Sequence, residues 1–456
     1  MKQSLNVFSS LVLVCGLVSP ALASETVELS LGKVLELAGG QNTELALQME
    51  RVVQAELERD IAWYNWIPDL RVGGQYSEQD GYLQNTDGST EKVKRDAWSS
   101  GLGFTGTGSG LANSPGLSLE LDLADAFFDP KIAARNLDAA RHAESGTSAQ
   151  VSLRAAELYY NLLEARRHIQ LVEASRANAQ GLADVTEAFA DGGQGLQSDS
   201  EQAQVYALLL DSEYEEAQYR YETAEAQLAR FLAFDDTVSF TLSEQAIVPL
   251  SIYDSTPEFA QLVAGALKER PEMKEASARG EAARISKDKE KWGPLVPNVA
   301  AYYSYGEFEG DGRGSDKESG ERTDYSVAVF WELDGLGFSD QANSAKQASA
   351  YRQARMAEAQ VRADVSAEVK VALDALAHSE KQLKVLTGAV ERARLAYQLT
   401  RDRVFENQGL PLEALQSMRM LEDTEKLMVR ATARYNLAQL RLLTVSGRTI
   451  AVDVLQ

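Results

Sequence analysis

The chain has 456 residues, a single cysteine and a formal net charge of -23 at pH 7. So acidic a protein repels nucleic acid and favours cationic partners. Because the cysteine, Cys15, lies in an N-terminal apolar segment, the rest of the chain has no thiol for a disulfide, a thiolate metal site or a nucleophile. Val14 rather than a small residue precedes Cys15, which argues against a lipoprotein signal.

The first predicted element is a secretory signal peptide at residues 1–23. Lys2 precedes an apolar run, and Ala21-Leu22-Ala23 has the small-residue pattern of a cleavage site. The apolar run is about 12 residues long, which is too short for a membrane-spanning helix of about 20 residues. Lys2 is the only charged residue of this segment, so cleavage changes the net charge from -23 to -24.

The remaining chain contains an internal repeat, which divides it into a first structural repeat at 24–245 and a second at 246–456. In each half a helix with a tryptophan near its end is followed five residues later by a proline. The matching residues are Trp63 and Pro68 in the first half, and Trp292 and Pro297 in the second.

Strands are predicted after each proline, because the apolar residues there recur with a period of two. The predicted strands are at about 69–77 and 116–125 in the first half, and at about 298–306 and 324–333 in the second. Polar, glycine-rich stretches separate them, at 77–114 and 306–323, and these predict exposed loops.

Long alanine-rich helices follow the second strand of each half, at about 129–232 and 340–445. Their apolar residues recur at spacings of three and four, as in coiled-coil packing. A glycine-containing turn interrupts each helix, at 191–195 and 407–411. The predicted fold class is therefore mainly α, built from two tandem helix-strand-strand-helix repeats.

Four strands per chain cannot close a barrel, and an open sheet in lipid leaves backbone groups unpaired. Three copies supply twelve strands, an even number as in bacterial barrels. The sequence thus predicts oligomerisation into a closed membrane β-barrel, and twelve strands from three copies are an allowed number. All five tryptophans lie in or beside the predicted strands, as membrane-interface aromatics do; a soluble sandwich with core tryptophans is the alternative. They are Trp63, Trp66, Trp98, Trp292 and Trp331.

These features resemble the outer-membrane efflux protein family typified by TolC, over essentially the whole mature chain. The resemblance rests on the tandem plan, the glycine turns, Ile67-Pro68 and Val296-Pro297 before strands, and Phe127-Phe128-Asp129 before a long helix. It implies a homotrimeric exit duct, with a 12-stranded β-barrel in the outer membrane and a long coiled-coil α-barrel that crosses the periplasm. It also implies docking on a periplasmic adaptor (membrane fusion) protein attached to an inner-membrane pump or ABC transporter, for efflux or type I secretion.

The resemblance further implies functional residues at the helical tip. The adaptor-contacting turn residues would be Gly192, Gly193, Gln194, Gly409, Leu410 and Pro411. Asp199, six residues after Gly193, would form an acidic periplasmic gate. In an ungapped alignment of Gly193 with Gly409, Leu415 takes the equivalent place, and Glu413 reaches it only with a two-residue gap.

Two physical interpretations of Asp199 stay open at this point. A ring of three carboxylates attracts cations and repels anions, which is a common selectivity device in pores. Alternatively, an acid early in a helix simply interacts favourably with the helix macrodipole.

No catalytic, cofactor or metal site is predicted, and the protein is not expected to be an enzyme. The three histidines lack ligand spacing, a glycine-rich stretch at 106–110 lacks the Gly-Lys-Ser/Thr of a phosphate loop, and the acids at 311–318 lack calcium-loop spacing. A periplasmic coiled-coil adaptor or scaffold is the main alternative function, and a glycan-binding or structural surface protein is a third. The acidic character favours cationic or neutral cargo.

Overall fold

The computed structural model describes residues 26–67, 69–103, 116–234, 238–244, 246–253, 257–311, 317–406 and 409–450. The predicted signal peptide at 1–23 and its Cys15 lie outside these residues, as do Pro68 and the glycine-rich stretch at 106–110. The elements in chain order are β1 (Thr26–Leu29), α1 (Leu31–Gln41), α2 (Thr43–Tyr64), β2 (Asp69–Gln84), β3 (Thr90–Gly103), β4 (Gly116–Asp122), α3 (Leu123–Asp191), α4 (Gln197–Phe231), β5 (Ser239–Leu242), α5 (Phe259–Glu269), α6 (Pro271–Trp292), β6 (Asn298–Asp311), β7 (Lys317–Phe330), α7 (Phe338–Phe405) and α8 (Pro411–Val445). The predicted mainly α class is confirmed.

The larger sheet has the strand order β3-β2-β4-β6-β7, with antiparallel pairing throughout. β3 and β4 share one strand position in it. Along β6, Gly103 pairs with Ser304 and Leu117 pairs with the next residue, Tyr303. Along β2 the pairing likewise passes from β3 to β4 between adjacent residues. The chain therefore occupies four strand positions, in the order β2, β3 with β4, β6 and β7.

The predicted loop at 77–114 is wrong in part, because β2 extends to Gln84 and β3 follows after a tight turn. Asp87 stabilises that turn by accepting hydrogen bonds from the backbone N–H and the hydroxyl of Ser89. The sequence of β3 is polar, but its backbone pairs with both β2 and β6. Pairing on two sides satisfies the backbone groups and outweighs the weak strand pattern of the side chains.

The helices form a layer in which α2 packs on α3, α3 on α6, and α6 on α7. Toward the tip, α4 pairs with α3 and α8 pairs with α7, while α8 also contacts α3. α3 contains 69 residues, which corresponds to a length of about 100 Å. Partway along this layer, β1 and β5 form a parallel pair. The two strands pack on α1 and α3, and the four elements share one apolar core.

The chain between the two repeats is anchored to α8 by two buried side chains. The Asn436 side-chain oxygen accepts a hydrogen bond from the Leu250 backbone N–H at 2.8 Å, and the Gln439 amide donates to the Leu250 carbonyl at 2.5 Å. Because buried amides need such partners, these two side chains hold the backbone of Leu250 against α8.

The two tip hairpins have equivalent lengths. α4 and α8 each contain 35 residues. The segments between the helices, 192–196 and 406–410, both have five residues, and each ends in an extended leucine that caps the following helix, Leu196 or Leu410. Each residue of the first hairpin is therefore structurally equivalent to the residue 214 positions later in the second hairpin.

Candidate functional site

The tip turn of the first hairpin is shaped by glycines for two different reasons. Gly193 follows the end of α3 in the left-handed region, at φ +70°, and its N–H donates to the Ala190 carbonyl at 3.0 Å. This is a Schellman-type helix end, where glycine avoids the steric cost of a side chain. A Cβ at Gly195 would lie 3.2 Å from the backbone of Phe189 and Ala190, so a side chain there would force the backbone to shift.

The second hairpin repeats this close approach at Gly409. A Cβ at Gly409 would lie 3.2 Å from the backbone of Arg403 and Val404, six and five residues earlier, as Gly195 does with Phe189 and Ala190. The sequence alignment of Gly193 with Gly409 was therefore wrong, because the glycine next to the following helix is Gly195 in the first half. Position 407, which is equivalent to Gly193, lies outside the described residues.

The corrected register places Asp199 and Glu413 at the same position of their helices without a gap. Both are the third residue of the helix, and the backbone N–H of each donates to a leucine carbonyl at 3.0 Å, Leu196 or Leu410. Both side chains are half-buried. Leu415, which the ungapped alignment put in this place, is buried in the apolar core beneath the turns.

The two carboxylates differ in their electrostatic surroundings. Glu413 forms an ion pair with Arg403 at 3.4 Å. Asp199 accepts a hydrogen bond from the Ser198 hydroxyl at 3.3 Å, and within the part of the chain that the structure describes no cation lies within ion-pair distance of it. Glu413 thus has a cation beside it at the tip, whereas Asp199 has none within ion-pair distance in the described part of the chain.

The six predicted docking residues lie in or beside the turns of the two tip hairpins. Gly192, Gly193 and Gln194 are exposed, and Leu410 is 61% exposed although it is apolar. Gly409 and Pro411 are half-buried, and proline at the first position of α8 suits the fixed φ of that residue.

Behind the tip, a charged network that the sequence did not reveal connects α3, α4 and α8. The Tyr206 hydroxyl of α4 donates to Glu422 of α8 at 2.7 Å, and Glu422 is only 5% exposed. Lys426 donates to Glu422 at 2.5 Å and also to Glu213 of α4. Glu213 lies 3.4 Å from the His168 imidazole of α3. Helical spacing alone could not identify this network, since its members come from three helices.

The network shifts the pKa of its members in directions that favour a neutral histidine beside charged partners. Burial and the Lys426 ammonium lower the pKa of His168 below its ordinary 6.5. Burial alone would raise the pKa of Glu213, but the hydrogen bond and charge of Lys426 outweigh it and lower this pKa. Burial likewise opposes the charge of Lys426, yet its two carboxylate partners raise its pKa.

The five tryptophans are all at least partly exposed, and four of them lie where the helices meet the sheet. Trp63 and Trp292 are at the ends of α2 and α6, while Trp66 and Trp331 lie just before β2 and just after β7. Trp98 lies farther along the sheet, in β3, opposite Tyr76. Aromatic side chains therefore mark two levels along the sheet.

One face of the sheet is apolar and exposed. On β7, Tyr325 is 83% and Val327 is 74% exposed, and Val329 continues the same face. Ser326 and Ala328 alternate with them on the other face. Large apolar side chains exposed in this way mark a surface that is covered in the working protein.

Among the described residues, no group of three or more histidine, cysteine, aspartate or glutamate side chains is arranged to hold a metal ion. Within the same part of the chain, no helix combines the length and the apolar character that crossing a membrane requires.

The family comparison matches residues 262–448 to the model described as Outer membrane efflux protein. The match covers most of α5 and extends just past α8, and it confirms the resemblance to that family in the second repeat. No curated protein matches the chain significantly.

The chain has the fold of several solved membrane proteins, three of which are described below. The channel OprN has 18% sequence identity, with a TM-score of 0.76 over 91% of this chain and 89% of that one. The outer membrane protein VceC from Vibrio cholerae has 15% identity, with a TM-score of 0.75 over 92% and 96%. The MtrE outer membrane channel of Neisseria gonorrhoeae has 16% identity, with a TM-score of 0.72 over 92% and 89%.

Proposed function

We propose that this chain, whose residues 262–448 match the Outer membrane efflux protein family, forms a homotrimeric exit duct in the outer membrane. In this proposal it is a passive conduit of a tripartite efflux pump or a type I secretion system, with its helical part in the periplasm. The observation that carries the proposal is a four-position sheet with an exposed apolar face, joined directly to a helical layer about 100 Å long.

The edges of the sheet support closure by further copies. β2 and β7 each have one side without a strand partner among the described residues. The antiparallel order makes β2 and β7 run in opposite directions, so β7 of one copy can pair with β2 of the next. Three copies supply twelve strand positions, and a closed barrel leaves no unpaired edge in lipid.

The helical layer has an edge of the same kind. Along α2, apolar residues recur at spacings of four and three and are exposed. They are Met49, Val53, Leu57, Ile61 and Tyr64. Because α2 packs on α3 within the chain, this stripe is available to α7 of a neighbouring copy, which would close the layer into a tube.

At the tip of this tube, three copies of Asp199 would come together around the axis. The absence of a cation beside Asp199 in the described part of the chain supports our proposal that it forms the acidic gate. Because Glu413 is paired with Arg403, we propose a secondary part for it. The exposed turn residues at 192–194 and 409–411 would contact a periplasmic adaptor, itself bound to an inner-membrane pump or ABC transporter. Cation attraction by the acidic ring favours cationic or neutral cargo.

The apolar face of the sheet offers a sharp test of membrane insertion. Val327→Arg places a charge on the exposed apolar face, where it costs about 2–4 kcal/mol in lipid, while Ser326→Arg places it on the opposite face of the same strand. We expect the wild type and Ser326→Arg to fractionate with the outer membrane as heat-modifiable trimers, and Val327→Arg to be lost from it. Recovery of all three proteins as soluble periplasmic species would instead favour an adaptor or scaffold.

A further inference from the structure

A groove runs along α6 between α3 and α7, well away from the tip and the sheet. Its volume is about 700 Å³, and Leu267 and Lys268 at the end of α5 line the end that is farthest from the sheet, the lower end. Contacts define its register: Glu281 of α6 lies near Arg135 of α3, and Gly280 faces Glu358 of α7. Since α3 and α7 both run antiparallel to α6, later residues of α3 and α7 lie beside earlier residues of α6.

The groove is cationic in a strongly acidic protein. Six lysines and arginines and three acids line it, although the chain as a whole has a net charge of -23. Each acid is already bound by an arginine of its own helix. The pairs are Asp138 with Arg135 at 2.9 Å, Glu281 with Arg284 at 2.5 Å, and Glu358 with Arg355 at 2.5 Å.

The three lysines and arginines of the groove that are not paired with these acids are at its lower end. Lys268 of α5 and Lys274 of α6 share a single carboxylate, Glu269, at 3.7 and 3.3 Å. The side chains of Arg362 on α7 and His142 on α3 have no ion-pair or hydrogen-bond partner among the described residues. Four different helices thus bring basic side chains to this end of the groove, and its two lysines and one arginine exceed the single carboxylate of Glu269.

We propose that this lower end of the groove binds a soluble anion with two or more negative charges, such as a phosphate or a cluster of carboxylates. Arg362 provides a planar donor for a bidentate contact, and Lys274 and Lys268 provide point charges. The Ser277 hydroxyl, exposed in the same groove, is a further donor. The site is independent of the proposed duct, because it uses neither the tip nor the sheet.

A lipid headgroup is not the occupant that the geometry favours. Ser277 precedes the end of α6 at Trp292 by about 15 residues, which places the site roughly 22 Å from the sheet along the helix. The ligand must therefore reach the groove from solution beside the helices.

The test is calorimetric titration of the folded, full-length mature protein with pyrophosphate and, separately, with citrate at low ionic strength. We expect saturable binding of at least one probe that weakens as salt rises. The double variant Arg362→Ala with Lys274→Ala should weaken it at least tenfold. Binding of pyrophosphate alone would assign the site to phosphate, and binding of citrate alone to carboxylates.

Arg279→Ala is the matched control, because Arg279 is on the same helix but pairs with Glu275 and does not line the groove. Equal weakening by Arg279→Ala, or no saturable binding of either probe to folded protein, would overturn the proposal. Vesicles with anionic lipid form a further arm, and binding to them without binding to the free probes would also overturn it. Since no arm measures conductance, failure here leaves the proposed duct unaffected.

Discussion

The Trp66 indole N–H donates a hydrogen bond to the Ala126 carbonyl at 3.0 Å, where the sheet meets the helices. Pro130 is four residues after Ala126 in α3 and has no N–H to donate to that carbonyl. Trp66 therefore replaces the helical hydrogen bond that the proline removes. This contact gives the tryptophan a structural part in addition to its expected place at a membrane interface.

Replacing Trp66 with phenylalanine removes both part of the buried aromatic surface and the hydrogen bond to Ala126. It should therefore destabilise the junction more than the loss of surface alone would. We expect Trp66→Phe to lower the free energy of unfolding by about 1 kcal/mol, the usual contribution of one hydrogen bond. Urea unfolding in detergent measures this. Trp63→Phe is the control, because the Trp63 indole has no hydrogen bond among the described residues; equal losses in the two variants would contradict the assignment.

The residue that follows the end of α4 in the left-handed conformation is an alanine, whereas the equivalent residue after α8 is a glycine. The alanine has a steric cost in this conformation that glycine avoids. Ala233 adopts a φ of +57°, where its equivalent in the second repeat is Gly447 at +86°. Ala233→Gly should raise stability by about 1 kcal/mol by relieving this strain.

The reverse change supplies the control for that prediction. In Gly447→Ala the new Cβ would lie 3.1 Å from the Arg270 backbone nitrogen. We expect a loss of about 2 kcal/mol from strain and crowding together. A lower melting temperature for Ala233→Gly would show that the left-handed conformation is not the limiting feature at this helix end.

The network behind the tip should be sensitive to loss of its cation. Lys426→Met leaves the buried Glu422 without its ammonium partner, and removal of one member of a buried pair costs about 3 kcal/mol or more. Lys370→Met is the matched control, because Lys370 pairs with Asp374 in solvent and such pairs contribute less than about 1 kcal/mol. Similar losses in both variants, measured by urea unfolding, would argue against the network.

Stability should also fall in mildly acidic solution because of His168. The folded state lowers the pKa of this histidine below 6.5, so the unfolded state binds the proton more readily. The contribution of His168 is therefore fully present above pH 6.5 and is lost as the pH falls from there through the lowered pKa of the folded state. Glu213, with a pKa lowered from 4.5, acts only at still lower pH.

A pH series of unfolding free energies between 5 and 8 tests this assignment. His168→Gln should flatten the slope near pH 6, while His378→Gln, at an exposed position of α7, should leave it unchanged. A slope that persists in His168→Gln would assign the pH dependence to other groups that titrate in this range.

The sequence predicted the features that depend on periodicity. The long helices and the strands that follow each tryptophan helix have strong apolar patterns, so their existence follows from local residues. β3 was missed because its side chains are polar and its stability comes from backbone pairing with β2 and β6. The mistaken pairing of Gly193 with Gly409 has a similar cause, since only backbone geometry distinguishes a left-handed glycine from one at a close approach.

The contacts between distant segments could not be predicted from the sequence. Glu422 and Tyr206 are separated by 216 positions and belong to different repeats. Each has an ordinary helical environment in the sequence, and only the packing of α4 on α8 makes Glu422 buried. Likewise, only the ion pair with Arg403 distinguishes Glu413 from Asp199.

Single-channel recording in planar lipid bilayers tests the proposed duct most directly. Wild-type protein should give small, cation-selective currents that a millimolar trivalent cation blocks from the tip side. Asp199→Ala should weaken that block strongly, and Glu413→Ala should weaken it less because Arg403 already compensates its charge. Block that is unchanged in Asp199→Ala would contradict the gate assignment, and the absence of any channel from folded protein would contradict the duct itself.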